Sequence, residues 1–183
     1  AAPWRATHLR RDQRLARARL APRGPYEWRA LAPAALSASL LERACELYRM
    51  LYVDKYTACN PVLTPALIAS AVRQGFLHVY TLHDRTRADA VDGVLGYYVR
   101  GGYMTAPLFG YDTSRPAGAG LYRLLSLKVC EEARRRRVRC HASGGAGDFK
   151  RRRGAESVVE VVAVDCAHLP WWRRLPWVLM HWL

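Results

Sequence analysis

The sequence is short of carboxylates. Asp and Glu number 15 against 29 Lys and Arg, a formal net charge of +14, and nearly all of that cation is Arg. Such a field attracts phosphates, whether of a nucleic acid, a nucleotide cofactor or an anionic membrane surface. The same Arg- and Ala-heavy usage is also what a GC-rich genome produces. Paired cysteines are missing as well. Cys45, Cys59, Cys130, Cys140 and Cys166 are odd in number and none stands in a C-x-x-C pair. That argues against a disulfide framework and against a zinc site, and for reduced thiols in a cytoplasm. No metal is expected. Long apolar runs are absent too. Residues 1–20 are Arg-rich and lack the apolar stretch of a secretory signal. Residues 169–183 are aromatic and apolar but short, and two prolines and two arginines interrupt them. No transmembrane segment is therefore expected. There are no internal repeats.

What is present suits a globular protein. About half of the 183 residues are apolar, enough for a core, and the length fits one domain or one domain with an appendage. We divide the chain into a basic arm or helix over 1–29, a domain over 30–168 and a Trp-rich tail over 169–183. Leu36, Leu40, Leu41, Ala44, Leu47, Tyr48 and Leu51 recur at helical spacing. A second helix follows, with Thr64 at the N-cap, Pro65 at the first helical position and Gly75 past the end. Three runs, 77–82, 94–99 and 103–109, read as an antiparallel meander, with Gly101-Gly102 as a tight hairpin turn. A helix opens at Gly120, a short strand covers 138–142, a basic helix covers 146–153, and a last strand covers 158–164. The fold class is α/β with a mixed sheet and helices on both faces.

Two motifs carry chemistry. The loop Arg115-Pro116-Ala117-Gly118-Ala119-Gly120 stands between a strand and a helix. Its free amides, the helix dipole and the missing Cβ atoms of Gly118 and Gly120 suit a pyrophosphate, with Arg115 as a charged fork at the edge. A plain Gly-rich turn has the same composition. Downstream, Ser143, Ala146, Lys150 and Gly154 follow a strand at offsets of three, seven and eleven. Together these resemble the GNAT superfamily of acyl-CoA-dependent N-acyltransferases. There a meander leads to a loop Q/R-x-x-G-x-G/A, a helix, a strand, and N-x-x-A-x-x-x-Y-x-x-x-G-F. Arg115, Gly118 and Gly120 match the loop. Ala146 and Gly154 match the second motif, Ser143 stands at the Asn, and Phe149 stands just before the Tyr position. Gly120-Leu121-Tyr122-Arg123, residues 149–155 and His168-Leu169-Pro170 are most similar to the CelD-like, FemAB-related branch.

The resemblance implies a GNAT-like fold, with the meander followed by parallel strands that splay apart. It implies acetyl-CoA or another acyl-CoA bound by Leu108, Phe109, Gly110, Tyr111, the loop 115–120, Leu121, Ser143, Phe149, Lys150 and Arg153. The acyl group would pass by direct attack to the amine of a small molecule. The family's Tyr is Lys150 here, so Lys150, Tyr111, Tyr122 and Ser143 are candidates for the acid, and Glu160, Asp112 and His141 for the base. Each also has an ordinary structural reading. Alternatives are a FemAB-like transferase using aminoacyl-tRNA, favoured by the charge, and a silent lobe with a structural role. The exposed cost of Trp171, Trp172, Trp177 and Trp182 points to packing on the domain or a homodimer, with a membrane surface as the second choice.

Overall fold

The computed structural model describes residues 3–55, 60–161 and 163–181. Cys59, Val162 and Trp182 lie outside them. The chain runs α1 (Pro3–Arg19), β1 (Tyr26–Leu31), α2 (Ala38–Tyr52), α3 (Pro65–Arg73), β2 (His78–Asp84), β3 (Ala90–Arg100), β4 (Tyr103–Tyr111), α4 (Leu121–Arg136), β5 (Arg139–His141), α5 (Gly147–Arg151) and α6 (Trp171–His181).

The strands form one sheet in the order β1-β2-β3-β4-β5. β1 to β4 pair antiparallel, and β4 pairs parallel with β5. The expected hairpin is present, with Gly101 at φ 56° and Gly102 at φ 79°, values that only glycine adopts without strain. Alternation along the strands splits the core in two. Val79, Val94 and Leu108 face α2 and α3. Leu82, Leu95 and Phe109 face the other way, onto α1 and α4. Leu47, Leu95 and Leu125 are wholly buried. Each such side chain contributes at most about 2–3 kcal/mol of transfer free energy.

The helix signals hold. Ser37 Oγ accepts from the Leu40 amide at 3.2 Å, Thr64 Oγ1 accepts from the Leu67 amide at 3.2 Å, and Gly75 follows α3 at φ 69°. Three expectations need correction. First, the arm over 1–29 is a 17-residue helix followed by a strand, and the boundary at 29/30 falls inside β1. Six residues, Tyr26–Leu31, were too few to show a period, and they pair fully with β2 from Tyr26↔Asp84 to Leu31↔Val79. Second, the Val-rich run 158–164 is not a strand in its described residues. Val158, Val159 and Val161 are 73%, 93% and 90% exposed. Strand propensity reports a side chain's fit to a pleated surface, and a strand still needs a neighbour to supply its hydrogen bonds. Third, of the two expected burial sites for the C-terminal tryptophans, the domain itself does not cover them: Trp171, Trp172 and Trp177 of α6 are exposed in the single chain.

Behind β3, one buried carboxylate holds α4 to the sheet. Glu132 is 3% exposed and accepts from Lys128 Nζ at 2.8 Å, Arg135 Nη2 at 2.6 Å and Tyr97 Oη at 2.7 Å. Burial alone would raise its pKa. The three donors outweigh that and push it down from 4.5 to about 2. Its stabilising contribution is therefore complete above about pH 4.5 and fades as the pH falls toward 2. A depression of that size corresponds to about 3 kcal/mol. Melting temperature against pH should fall through this window in the parent chain and be flatter there in Glu132→Gln, which is already less stable at pH 7. Parallel curves for the two proteins would show that Glu132 does not govern the acid limb.

Candidate phosphate cleft

The site starts from two irregularities in the sheet. On β4, Ala106 and Pro107 together face Tyr97, because Gly96 pairs with Leu108 and Tyr98 with Thr105. This bulge is where a proline fits a strand. Beyond it, β4 loses its neighbour on the outer side. β5 pairs only with Tyr103, Met104 and Thr105, so the stretch Ala106–Tyr111 runs on with that edge unpaired by β5. The parallel pair goes no further, because β5 itself ends at His141.

The chain then turns through Asp112–Pro116 and a short 3-10 turn, Ala117–Ala119, into α4. Gly120 sits at φ 71°, left-handed, and starts the helix. The amides of Leu121, Tyr122 and Arg123 therefore have no carbonyl within α4 to bond. The space around Gly118 is open: a Cβ there would meet nothing within 4 Å. Gly120 is covered on one side, since a Cβ there would lie 2.5 Å from Leu15 Cδ2 of α1. A cleft of about 180 Å³ lies against this turn, lined by Tyr111, Asp112, Arg115, Pro116, Ala117, Gly120, Leu121, Tyr122 and Arg123. A wider hollow of about 300 Å³ lies between α2 and α3, away from the loop, and none of the expected site residues lines it.

Expected site residues fall into three groups. Tyr111, Arg115, Pro116, Ala117, Gly120 and Leu121 line the cleft, and Gly118 and Ala119 belong to the same turn. Leu108, Phe109 and Gly110 are on β4 beside it. Leu108 and Phe109 have buried side chains, and Gly110 lies against the backbone of α2, so only their main chain is available to a ligand. Phe149 reaches the cleft wall by stacking its edge on Tyr122 at 4.8 Å.

The remaining residues are engaged elsewhere. Arg115 does not project as a free fork. Its Nη2 donates to Asp84 at 2.8 Å, and its Nε lies 3.0 Å from Asp92, close enough to pair but not aligned for a hydrogen bond. Both carboxylates are buried, and Asp92 is the extra residue of a bulge on β3 that aims it inward. Burial raises the Asp92 pKa, against the opposing pull of Arg115 and Arg87. Asp112 behaves oppositely. Burial would raise it, but Ser114 and Arg43 hold it below the usual carboxylate range. Asp112 is thus a turn residue that accepts from Ser114 and from Arg43 Nη2 at 2.8 Å.

Lys150 is likewise committed. Its Nζ donates to the carbonyls of Ser143 and Gly144, each at 2.8 Å, and closes the loop between β5 and α5. Burial lowers its pKa. Ser143 is exposed at φ 59°. Glu160, expected on a strand, lies in irregular chain and pairs with His141 Nε2 at 3.0 Å. Arg153 stacks on Phe149 and pairs with the buried Asp12 of α1.

Sequence reasoning missed two cations at the loop. Arg123 lines the cleft, and Arg19 Nη2 donates to the Gly118 carbonyl at 3.1 Å. Arg123 was readable as the third residue of a helix start. Arg19 was not, because 99 residues separate it from Gly118.

No protein-family model matches the sequence, and no curated protein matches it. Solved structures do. An acetyltransferase from Trypanosoma brucei is 19% identical, with a TM-score of 0.55 over 76% of this chain and 99% of that one. An aminoglycoside acetyltransferase from an uncultured soil metagenomic sample, solved with trehalose, is 12% identical, with a TM-score of 0.56 over 77% and 95%. A predicted acetyltransferase from Clostridium acetobutylicum, solved with acetyl-CoA, is 10% identical, with a TM-score of 0.55 over 78% and 97%. With its five-stranded mixed sheet, its parallel β4–β5 pair and helices on both faces, the chain has the fold of the GNAT acetyltransferases.

Proposed function

We propose that the chain is an acyl-CoA-dependent N-acyltransferase that passes an acyl group, acetyl first among them, to an amine. The observation that carries this reading is the pairing of a bare helix start at Gly118–Arg123 with a β4 edge that β5 leaves open. The residues present fit a pyrophosphate: amides without helical acceptors, an open glycine and the cations of Arg123 and Arg19 beside them. Arg115 has the different task of fixing the loop to the buried carboxylates.

Acyl-CoA supplies a thioester carbonyl open to attack. The protein's own work is orientation, in which the β4 edge and the helix start hold the donor while an amine approaches along the cleft. Two of the expected acids, Tyr111 and Tyr122, line the cleft; we assign Tyr111, which ends the β4 edge that holds the donor, to protonate the departing thiolate. Lys150 and Glu160 are tied to other partners and are not assigned. The CelD-like placement is supported by the sequence stretches quoted above.

Acetyl-CoA at saturating concentration should raise the melting temperature of the parent chain. Gly118→Val, whose Cβ would meet nothing within 4 Å, should keep the parent's own melting temperature and lose the acetyl-CoA shift. A normal shift in that variant would remove the loop from the binding site.

A further inference from the structure

The helix α1 has a use that the donor site does not absorb. Its buried side carries Leu9, Leu15, Ala16 and Leu20 into the core shared with α4. Asp12, 3% exposed, anchors the helix by pairing with Arg153. The opposite side presents Arg10, Arg14 and Arg17, at i, i+4 and i+7, with Arg11 beside them, and all four are exposed. Asp12 is the one acid between Pro3 and Tyr26, and it is already taken, so this stripe has no carboxylate of its own helix to neutralise it.

We infer that this stripe is a docking surface for the phosphate backbone of a nucleic acid. The rise along the helix places the three arginines over about 10 Å, one to two phosphate spacings, and a guanidinium grips phosphate through paired donors. An anionic membrane fits this face less well. Among residues 7–19 of α1, no large apolar side chain is exposed that could enter a bilayer. The C-terminal end of α1 meets the cleft through its other side, where Arg19 holds Gly118 and Leu15 covers Gly120, so the stripe is a surface separate from the donor site.

The test is fluorescence anisotropy with a labelled single-stranded RNA of about 20 nucleotides, titrated at several salt concentrations. Losing three phosphate contacts should cost the Arg10→Ala, Arg14→Ala, Arg17→Ala variant tenfold or more in affinity and reduce its salt slope by roughly 2. The same three positions changed to Lys should retain most of the binding. Arg134→Ala with Arg137→Ala, exposed at the far end of α4, should change little. An absence of RNA binding by the parent chain overturns the proposal. So does equal loss in the Arg134 and Arg137 variant, which would make the effect one of net charge. Binding to phosphatidylglycerol vesicles in place of RNA also overturns it, in favour of a membrane. The acetyl-CoA melting shift, measured on the triple variant, reads the donor site separately, so failure of one reading is distinguishable from failure of the other.

Discussion

Replacing Arg115 with Ala should lower the melting temperature by about 10 °C, whether or not acyl-CoA is present. The loop motif alone leads one to expect the opposite, a stable protein with weaker donor binding. The reason lies in what the side chain leaves behind. Asp84 is 1% exposed and Asp92 not at all, and Arg115 approaches both. Arg87 reaches Asp92 as well, at 3.1 Å, but its own side chain is 43% exposed and weakly held. Removing one partner of a buried ion pair costs about 3–5 kcal/mol, because the remaining charge stays without compensation. For a chain of this size each kcal/mol is worth about 2–4 °C. Adding Asp92→Asn to Arg115→Ala should restore part of the loss, since the orphaned charge is then gone. Calorimetry of the two variants checks both statements. An unchanged melting temperature in Arg115→Ala, together with a weaker acetyl-CoA response, would return Arg115 to the ligand.

Gly110→Ala should be severely damaging, although it adds a single methyl group. A Cβ at that position would lie 2.5 Å from the Leu47 carbonyl carbon and 2.5 Å from the Tyr48 amide nitrogen. These are backbone atoms, so no rotamer can move aside. Either β4 or α2 must shift, and α2 carries Leu41, Ala44, Leu47 and Tyr48 into the core. Overpacking of this kind costs about 3 kcal/mol or more. Denaturant unfolding should show the loss, and acetyl-CoA should no longer protect, because β4 borders the cleft. Gly118→Ala, with open space at its Cβ, is the matched control and should unfold like the parent. Parent-like stability in Gly110→Ala would mean that α2 does not sit on β4 as described.

Both predictions concern residues that the sequence reading took for ligand contacts. Arg115 and Gly110 do belong to the neighbourhood of the site, but one fastens the loop and the other lets a helix approach. The motif spacing could locate them without assigning their partners. Asp84, Asp92 and Leu47 are 31, 23 and 63 residues away from the groups they meet. Lys150 shows the same limit. Its offset from Ser143 placed it correctly between β5 and the end of α5, but its amine points back to carbonyls six and seven residues earlier.

Local signals were legible wherever one stretch of chain contained the whole physical cause. Caps at Ser37 and Thr64, the glycine turn at Gly101-Gly102, the helical period of α2 and the left-handed start of α4 at Gly120 all depend on neighbours in sequence. So the amino-acid sequence determined the order of most elements, the meander, and the place where a helix starts with bare amides. Tertiary structure decided the rest. It recruited Tyr26–Leu31 into the sheet, left the described residues of the Val-rich run 158–164 without a strand partner, and brought α1 across the chain to lay Arg19 and Leu15 on the loop. It also turned Arg115 from the ligand toward two buried carboxylates. Each of these outcomes is set by hydrogen-bond and charge partners from distant parts of the chain, and only closure of the fold determines which partners meet.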